Sequence, residues 1–349
     1  MPVSDYVFTP SDFSERQWTS LVDTSSEYNL LQTWAYGAAK EVSGPWKAVR
    51  GTVTCEGLKI GAAQVMVRNL PVLRGGLAWL NRGPMILAEA KNTADTLGRV
   101  VLILEMIRAI RSHFVEEQKL YLRIAPSLFQ NELELSTLDK LSMKPTDTLG
   151  WASAKLDLSC SDSDIRKALN GKWRGHLSKA ERSGLTVRNG CDKALFQEFS
   201  QLHTKMVQDK NLSTNLNAAF FETLQNLMPD EQKMEMFVVM DGPTILGSTL
   251  IAKYGSSCEY LATTTTPEGR RKNAGQLLLW AAILEMKTQG YKNLDLSGVD
   301  PEQTPKGILA FKQGVNAVPY RLAQELDTTD GGFLSHLVKW KVQQSRLQG

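Results

Sequence analysis

The 349-residue chain predicts an α/β (α+β) protein of two similar mixed units in tandem, residues 1–150 and 151–320, followed by a C-terminal helix within 321–349. Three observations carry this expectation. At the usual ~100–200 residues per domain the length calls for two domains. Hydrophobic residues at 42% and charged residues at 22% match an ordinary globular protein, which excludes long disorder and collagen-like or mucin-like repeats. One order of elements also occurs twice: helices, then short antiparallel strands, then a long apolar helix feeding a further strand.

In the first unit, Asp12 to Val22 follows a Ser11 cap signal, and Leu30 to Val42 carries Leu30, Leu31, Trp34 and Ala38 on related helical faces. Short strands follow at Ala48 to Val53, Lys59 to Val67 and Leu77 to Leu80, broken by Gly61, Pro71 and the Gly75-Gly76 pair, as a meander requires. Leu97, Val101, Leu104, Ile107 and Ile110 then recur at helical spacing in a long helix, Thr93 to Glu117, before a strand Lys119 to Ile124 that Pro126 stops.

The pattern restarts at Ala152. Strand Ala152 to Leu158, helix Ser163 to Leu169, a basic helix Trp173 to Ser183 and strand Leu185 to Arg188 open the second unit. Helices Ala194 to Asp209 and Ala218 to Leu227 lead to strands Glu235 to Met240, Thr244 to Tyr254 and Ser256 to Thr263. Helix Ala274 to Gln289, strand Asn293 to Leu296 and helix Lys306 to Gln313 complete it. A final helix, Gly331 to Leu347, has an apolar side of Leu334, Leu337, Val338, Trp340 and Val342.

Several chemistries are poor fits. The formal net charge of +3 is too mild to signal nucleic-acid binding by itself. Cys55, Cys160, Cys191 and Cys258 lie too far apart for metal-ligand or redox-pair spacing, and His113, His176, His203 and His336 form no metal motif. There is no Gly-x-Ser-x-Gly elbow. The N-terminus lacks a signal-peptide pattern and no apolar run reaches the ~18 residues of a membrane helix, so a cytoplasmic protein is expected.

Two stretches suggest chemistry. After the strand ending at Thr263, a loop with Arg270, Arg271 and Lys272 leads into a helix at Ala274-Gly275, a geometry in which unpaired N–H groups and arginines hold a phosphate. A solvated loop before a buried helix has the same composition. Arg166 to Arg188 carries Lys/Arg at 166, 167, 172, 174, 179, 182 and 188 against the single acid Glu181, which is either a contact for tRNA phosphates, with Arg174 central, or a solvated helix face.

A family resemblance joins these pieces. Leu30 to Glu41 (LLQTWAYGAAKE), Gly150 to Ser159 (GWASAKLDLS), Lys172 to Val187 (KWRGHLSKAERSGLTV), YLATTTT from Tyr260, Ala274 to Asp300 and Gly307 to Ala317 (GILAFKQGVNA) together resemble the FemABX family over residues 30–320. That family moves amino acids from aminoacyl-tRNA onto peptidoglycan precursors, on two tandem acetyltransferase (GNAT)-like domains. Arg271 to Gln276 is a degraded form of the phosphate-binding signature of acyl-CoA enzymes.

The resemblance implies particular residues. Phe311-Lys312 matches the family's Phe-Lys, which gives Lys312 the role of stabilising the oxyanion. Tyr260 falls where the family has a pocket tyrosine whose hydroxyl binds acceptor or carbonyl, and Lys40 matches a contact to acceptor phosphate. Ala125 stands where the family often has an Asp before Pro126, and the arginine expected after Val207 has only Lys210 nearby. Both departures touch acceptor binding. The resemblance further implies that the final helix returns to the first domain.

The leading expectation is thus an amide-forming aminoacyltransferase with no tightly bound cofactor, an aminoacyl-tRNA donor and an amine acceptor on a cell-envelope precursor or nucleotide sugar. Positioning and charge stabilisation suffice for a pre-activated acyl group, consistent with the absence of a nucleophilic triad. The alternatives are an acyl-CoA-dependent N-acyltransferase acting on an amino sugar or small amine, using the Arg270 to Gly275 turn, and a catalytically silent binding module. The oligomeric state is not legible.

Overall fold

Two runs of strand-forming residues, each interrupted by one long apolar helix, build two separate sheets. The computed structural model describes residues 6–70, 75–90, 98–133, 138, 141–209 and 217–347. The chain divides into one unit of Met1–Trp151 with Arg321–Gly349 and a second of Ala152–Tyr320.

Unit 1 opens with β1 (Val7–Pro10) and α1 (Glu15–Val22). The helix starts at a Ser14–Gln17 capping box, three residues after the Ser11 signal, because Gln17 returns a hydrogen bond that no residue after Ser11 supplies. The segment expected as one helix from Leu30 is a 3₁₀ turn, Leu30–Gln32, and then α2 (Trp34–Ser43), with Thr33 as the cap between them. Strands β2 (Lys47–Cys55), β3 (Leu58–Asn69) and β4 (Gly76–Gly83) form the antiparallel meander, with β5 (Met85–Ile86) against β3. Helix α3 (Arg99–Arg111) continues as a π-helical turn, Ser112–Glu117, and the first residues expected in this helix, 93–97, lie outside the described residues. The chain then enters β6 (Tyr121–Pro126), parallel to β4, and later β7 (Lys144–Pro145).

Unit 2 repeats the plan. It contains β8 (Ala152–Asp157), α4 (Asp162–Ala168), α5 (Gly171–Glu181), β9 (Thr186–Gly190), α6 (Lys193–Asp209) and α7 (Ala218–Leu227). The meander β10 (Glu235–Asp241), β11 (Thr244–Tyr254) and β12 (Ser257–Thr265) follows. A short α8 (Pro267–Arg271) and the long α9 (Ala274–Thr288) lead to β13 (Asn293–Asp295), parallel to β12, then α10 (Lys306–Gln313) and β14 (Val318–Arg321). The sheet order is β14-β8-β13-β12-β11-β10-β9.

The chain end rejoins unit 1. Strand β15 (Leu326–Thr328) lies between β6 and β7, so the path of that sheet is β1-β2-β3-β4-β6-β15-β7, and α11 (Phe333–Leu347) packs on β4 and β6. Buried Arg123 of β6 pairs with Glu325, and Asp327 of β15 accepts from Tyr121 Oη at 2.9 Å and Lys339 Nζ at 2.8 Å. In each unit the long helix lies on the sheet through an apolar face. Leu102, Ile103, Met106, Ile107 and Ile110 of α3 meet Val53, Val65, Leu80 and Ile124. Leu278, Leu279, Ile283 and Met286 of α9 meet Phe237, Val239, Ile251 and Leu294.

Candidate active site

Parallel pairing of β12 with β13 spans three residues, Ser257 to Glu259 against Asn293 to Asp295. Past that point the backbone after β13 turns to β8: Leu296 N–H donates to Ala154 O and Val299 N–H to Ala152 O, each at 2.9 Å. Strand β12 meanwhile runs on along β11 to Thr265, with a bulge between its Tyr260 and Ala262. The two strands therefore open into a wedge beyond Glu259 and Asp295. Tyr260 stands on one side of it and the Ser297-Gly298 turn on the other.

Lys312 bridges this opening. Carried on α10, its ammonium donates to Ser297 O and stands 6.0 Å from the centre of the Tyr260 ring. Burial pulls the amine down to about 8, and the carboxylates of Asp295 and Glu259 act in the opposite direction. An ammonium has three donors, so after the Ser297 bond two remain to face a developing oxyanion.

Tyr260 takes a different position from that expected. Its hydroxyl is buried near the Thr249 and Thr263 hydroxyls without a well-formed hydrogen bond to either, and burial pushes it up to about 12. The ring, not the hydroxyl, is the part that faces Lys312.

The basic residues of the phosphate-like turn are engaged locally. Arg270 donates to Thr265 O at 2.7 Å, Arg271 pairs with Glu268 one helical turn away, and Lys272 pairs with Asp241. Asn273 precedes α9 in the left-handed region, and no side chain caps the helix. A Cβ on Gly275 would lie 3.5 Å from the Phe311 ring, so that ring covers the glycine face.

The basic stretch 166–188 is also less free than its composition suggests. Arg166 forms a two-point bond with Glu181 at 2.7 and 2.6 Å, and Arg188 does the same with Glu198 at 2.9 and 2.7 Å. Arg174, expected as a substrate contact, donates to Lys167 O at 2.9 Å and closes the C-terminal end of α4. Glu198 lies outside the stretch, which is why linear charge counting missed it. Lys172, Lys179 and Arg182 stay exposed. Lys210 lies outside the described residues.

In unit 1, Lys40 lines a small, partly enclosed cleft with Leu31, Tyr36, Trp46, Gln64, Met66, Trp79 and Asn81. Its amine sits 5.6 Å from the Tyr36 ring centre, and burial lowers its pKa. Trp46 and Trp79 are 6.3 Å apart, and beside the cleft Arg50 stacks 3.6 Å from the Trp34 ring and donates to Trp34 O at 3.1 Å. Gly37 makes this packing feasible, because a Cβ there would lie 2.3 Å from Gln64 Oε1. Sequence reading found Lys40 and missed Trp46, Gln64 and Trp79, which are 6 to 39 residues away and carry no local signal. Among the described residues no group of three or more His, Cys, Asp or Glu could hold a metal, and no helix is long and apolar enough to cross a membrane.

Comparison with known proteins agrees with this architecture. Residues 166–312 match the model of an acetyltransferase (GNAT) domain, which makes unit 2 an acyltransferase domain and the chain an acyltransferase. The crystal structure of FemX superposes with a TM-score of 0.76 at 16% identity, covering 95% of this chain and 99% of that one. A tandem GNAT protein from the clavulanic acid biosynthesis pathway gives 0.51 at 13% identity, covering 94% and 99%. A conserved protein of unknown function from Bacteroides thetaiotaomicron VPI-5482 gives 0.57 at 10% identity, covering 92% and 99%. No curated protein sequence matches the chain. The fold is thus the tandem GNAT-like fold and fits the FemABX family, whose motifs the sequence resembles.

Proposed function

We propose that this acyltransferase forms an amide from an aminoacyl ester, taking the donor from aminoacyl-tRNA and the acceptor amine from a cell-envelope precursor. The observation that carries the reading is Lys312, half-buried and anchored across the β12–β13 wedge. An acyl carbonyl placed in the wedge has the ammonium beside its oxygen. The acceptor amine attacks the carbonyl carbon, the C–N bond forms, and the ester C–O bond breaks. The amine's proton leaves with the ribose oxygen. Lys312 lowers the energy of the intervening tetrahedral anion.

An ester donor is favoured over acyl-CoA by the state of the turn before α9. Arg270 and Arg271 each have a local partner, in Thr265 O and Glu268, and Phe311 packs on Gly275, so a pyrophosphate at this turn would compete with contacts already made. The uncapped start of α9 is the one feature that favours acyl-CoA. In unit 1 the Lys40 cleft offers a cation and flanking aromatic rings, which suit a phosphate attached to a ring-bearing group.

The deciding experiment supplies the purified protein with labelled aminoacyl-tRNA, or separately with labelled acyl-CoA, and a panel of amines that includes nucleotide-linked muramyl peptides. Label is expected in an amide product from the tRNA arm, abolished by ribonuclease. Transfer from acyl-CoA alone would replace the donor assignment, and no transfer from either would overturn the enzymatic reading.

A further inference from the structure

Around Lys312 lies a buried polar network that acyl transfer does not itself require. Glu259 and Asp295 are direct partners in the short β12–β13 register, and both carboxylates are buried, with 2% and 6% of their residue surface exposed. Two like charges at adjacent positions of neighbouring strands are costly, so their surroundings must offset this. Asp295 accepts from Ser153 Oγ, from Tyr320 Oη and from Ser297 N–H at 2.8 Å. Glu259 accepts from Ser297 Oγ at 2.5 Å and from Tyr254 Oη at 3.3 Å.

Ser297 is where these bonds converge. It has φ 50°, in the left-handed region that a residue with a Cβ rarely occupies, and Gly298 follows it with φ 48°. Asp295 holds the Ser297 N–H and Glu259 holds its hydroxyl, which leaves its carbonyl turned toward Lys312. Gly298 is called for by its φ of 48° and not by space, since a Cβ there would only touch Lys312 Nζ at 3.8 Å.

We propose that Glu259 and Asp295 are positioning residues for Lys312: they pin Ser297 in its left-handed conformation so that its carbonyl anchors the ammonium in the wedge, and they provide its counter-charge. The inference rests on the acyl-transfer reading for its catalytic meaning and on geometry alone for the positioning. The titratable groups around Lys312 are Asp295 from β13, Glu259 and Tyr260 from β12, Tyr254 from β11 and, through Asp295, Tyr320 from β14. Of these, Asp295 and Glu259 are the two whose attraction raises the proton affinity of the amine against its burial. Neutralising either removes attraction for the ammonium and leaves its burial, so the amine should lose its proton at lower pH.

The test reads Lys312 directly. Lysines of the intact protein are reductively methylated with ¹³C-formaldehyde, the Lys312 resonance is assigned by its absence in Lys312→Met, and it is titrated by NMR without substrates. Glu259→Gln and Asp295→Asn should each move the midpoint down by about one pH unit. Ser297→Gly tolerates the left-handed backbone and keeps both charges. It should leave the midpoint in place and lower kcat roughly ten-fold by releasing the tether, a check that survives if a carboxamide variant does not fold. A midpoint unmoved in the carboxamide variants, or an unchanged kcat in Ser297→Gly, would overturn the positioning role. Shifted midpoints in a protein that transfers no acyl group would leave the positioning standing and overturn the acyl-transfer reading instead.

Discussion

At the scale of single residues, the proposed chemistry rests on Lys312, and the surroundings of its amine set the pH range over which it can act. With its amine drawn down to about 8, the ammonium that stabilises an oxyanion is lost as pH rises through that value, so kcat should fall on the alkaline side. Lys312→Arg, whose guanidinium stays charged, should abolish that alkaline limb even where it lowers the rate. Lys312→Met should lower kcat by about 10²–10³ with a smaller change in KM, by analogy with the loss of one oxyanion-hole donor; a near wild-type rate with a confirmed donor and acceptor would remove the residue from the mechanism. In unit 1, Lys40→Ala should raise the acceptor KM roughly ten-fold or more with kcat nearly unchanged, measured by varying acceptor at saturating donor. Lys312 and Lys40 could be proposed from the sequence because each sits inside a contiguous motif. Glu259 and Asp295 were not, because an acid within a strand pattern shows no partner until Ser297, Tyr254 and Tyr320 are brought to it.

At the scale of elements, close approach between helix and sheet makes particular glycines structural. Gly61 of β3 lies beneath α3, and a Cβ there would fall 2.0 Å from Met106 Sδ and 2.7 Å from Met85 O. The thioether can move, but the carbonyl belongs to the backbone of β5. Gly61→Ala should therefore destabilise unit 1 by about 1–3 kcal/mol, seen as a lowered urea midpoint with unit 2 unaffected. Helices and long strands were mostly readable from periodicity, since α7, β11 and α10 run over the residues expected. Strands β1, β14 and β15 were not: at three or four residues each, they are too short for a period-2 pattern and exist because a neighbouring strand offers an edge.

At the scale of the whole molecule, unit 1 is discontinuous, and β15 and α11 complete it. A chain ending at Tyr320 would leave Arg123 buried without Glu325, a loss of about 3–5 kcal/mol for a broken buried pair, and would remove the strand beside β6. Such a truncation should unfold unit 1 at lower urea, followed by limited proteolysis, while residues 152–320 remain protected. Sequence alone determined that the chain holds two α/β units of similar element order, with no metal motif and with Phe311-Lys312 inside a recognisable motif, because these follow from local periodicity and contiguous residues. Only the tertiary structure decided where the charges are spent. Arg174 closes a helix end and Arg166, Arg188, Arg270 and Arg271 meet partners 3 to 15 residues away, whereas Lys312 donates to the carbonyl of Ser297, 15 residues back, a residue that is itself bonded by two acids brought together across parallel strands. Such contacts depend on strand register and helix packing, which join residues distant in sequence and leave no pattern along the chain.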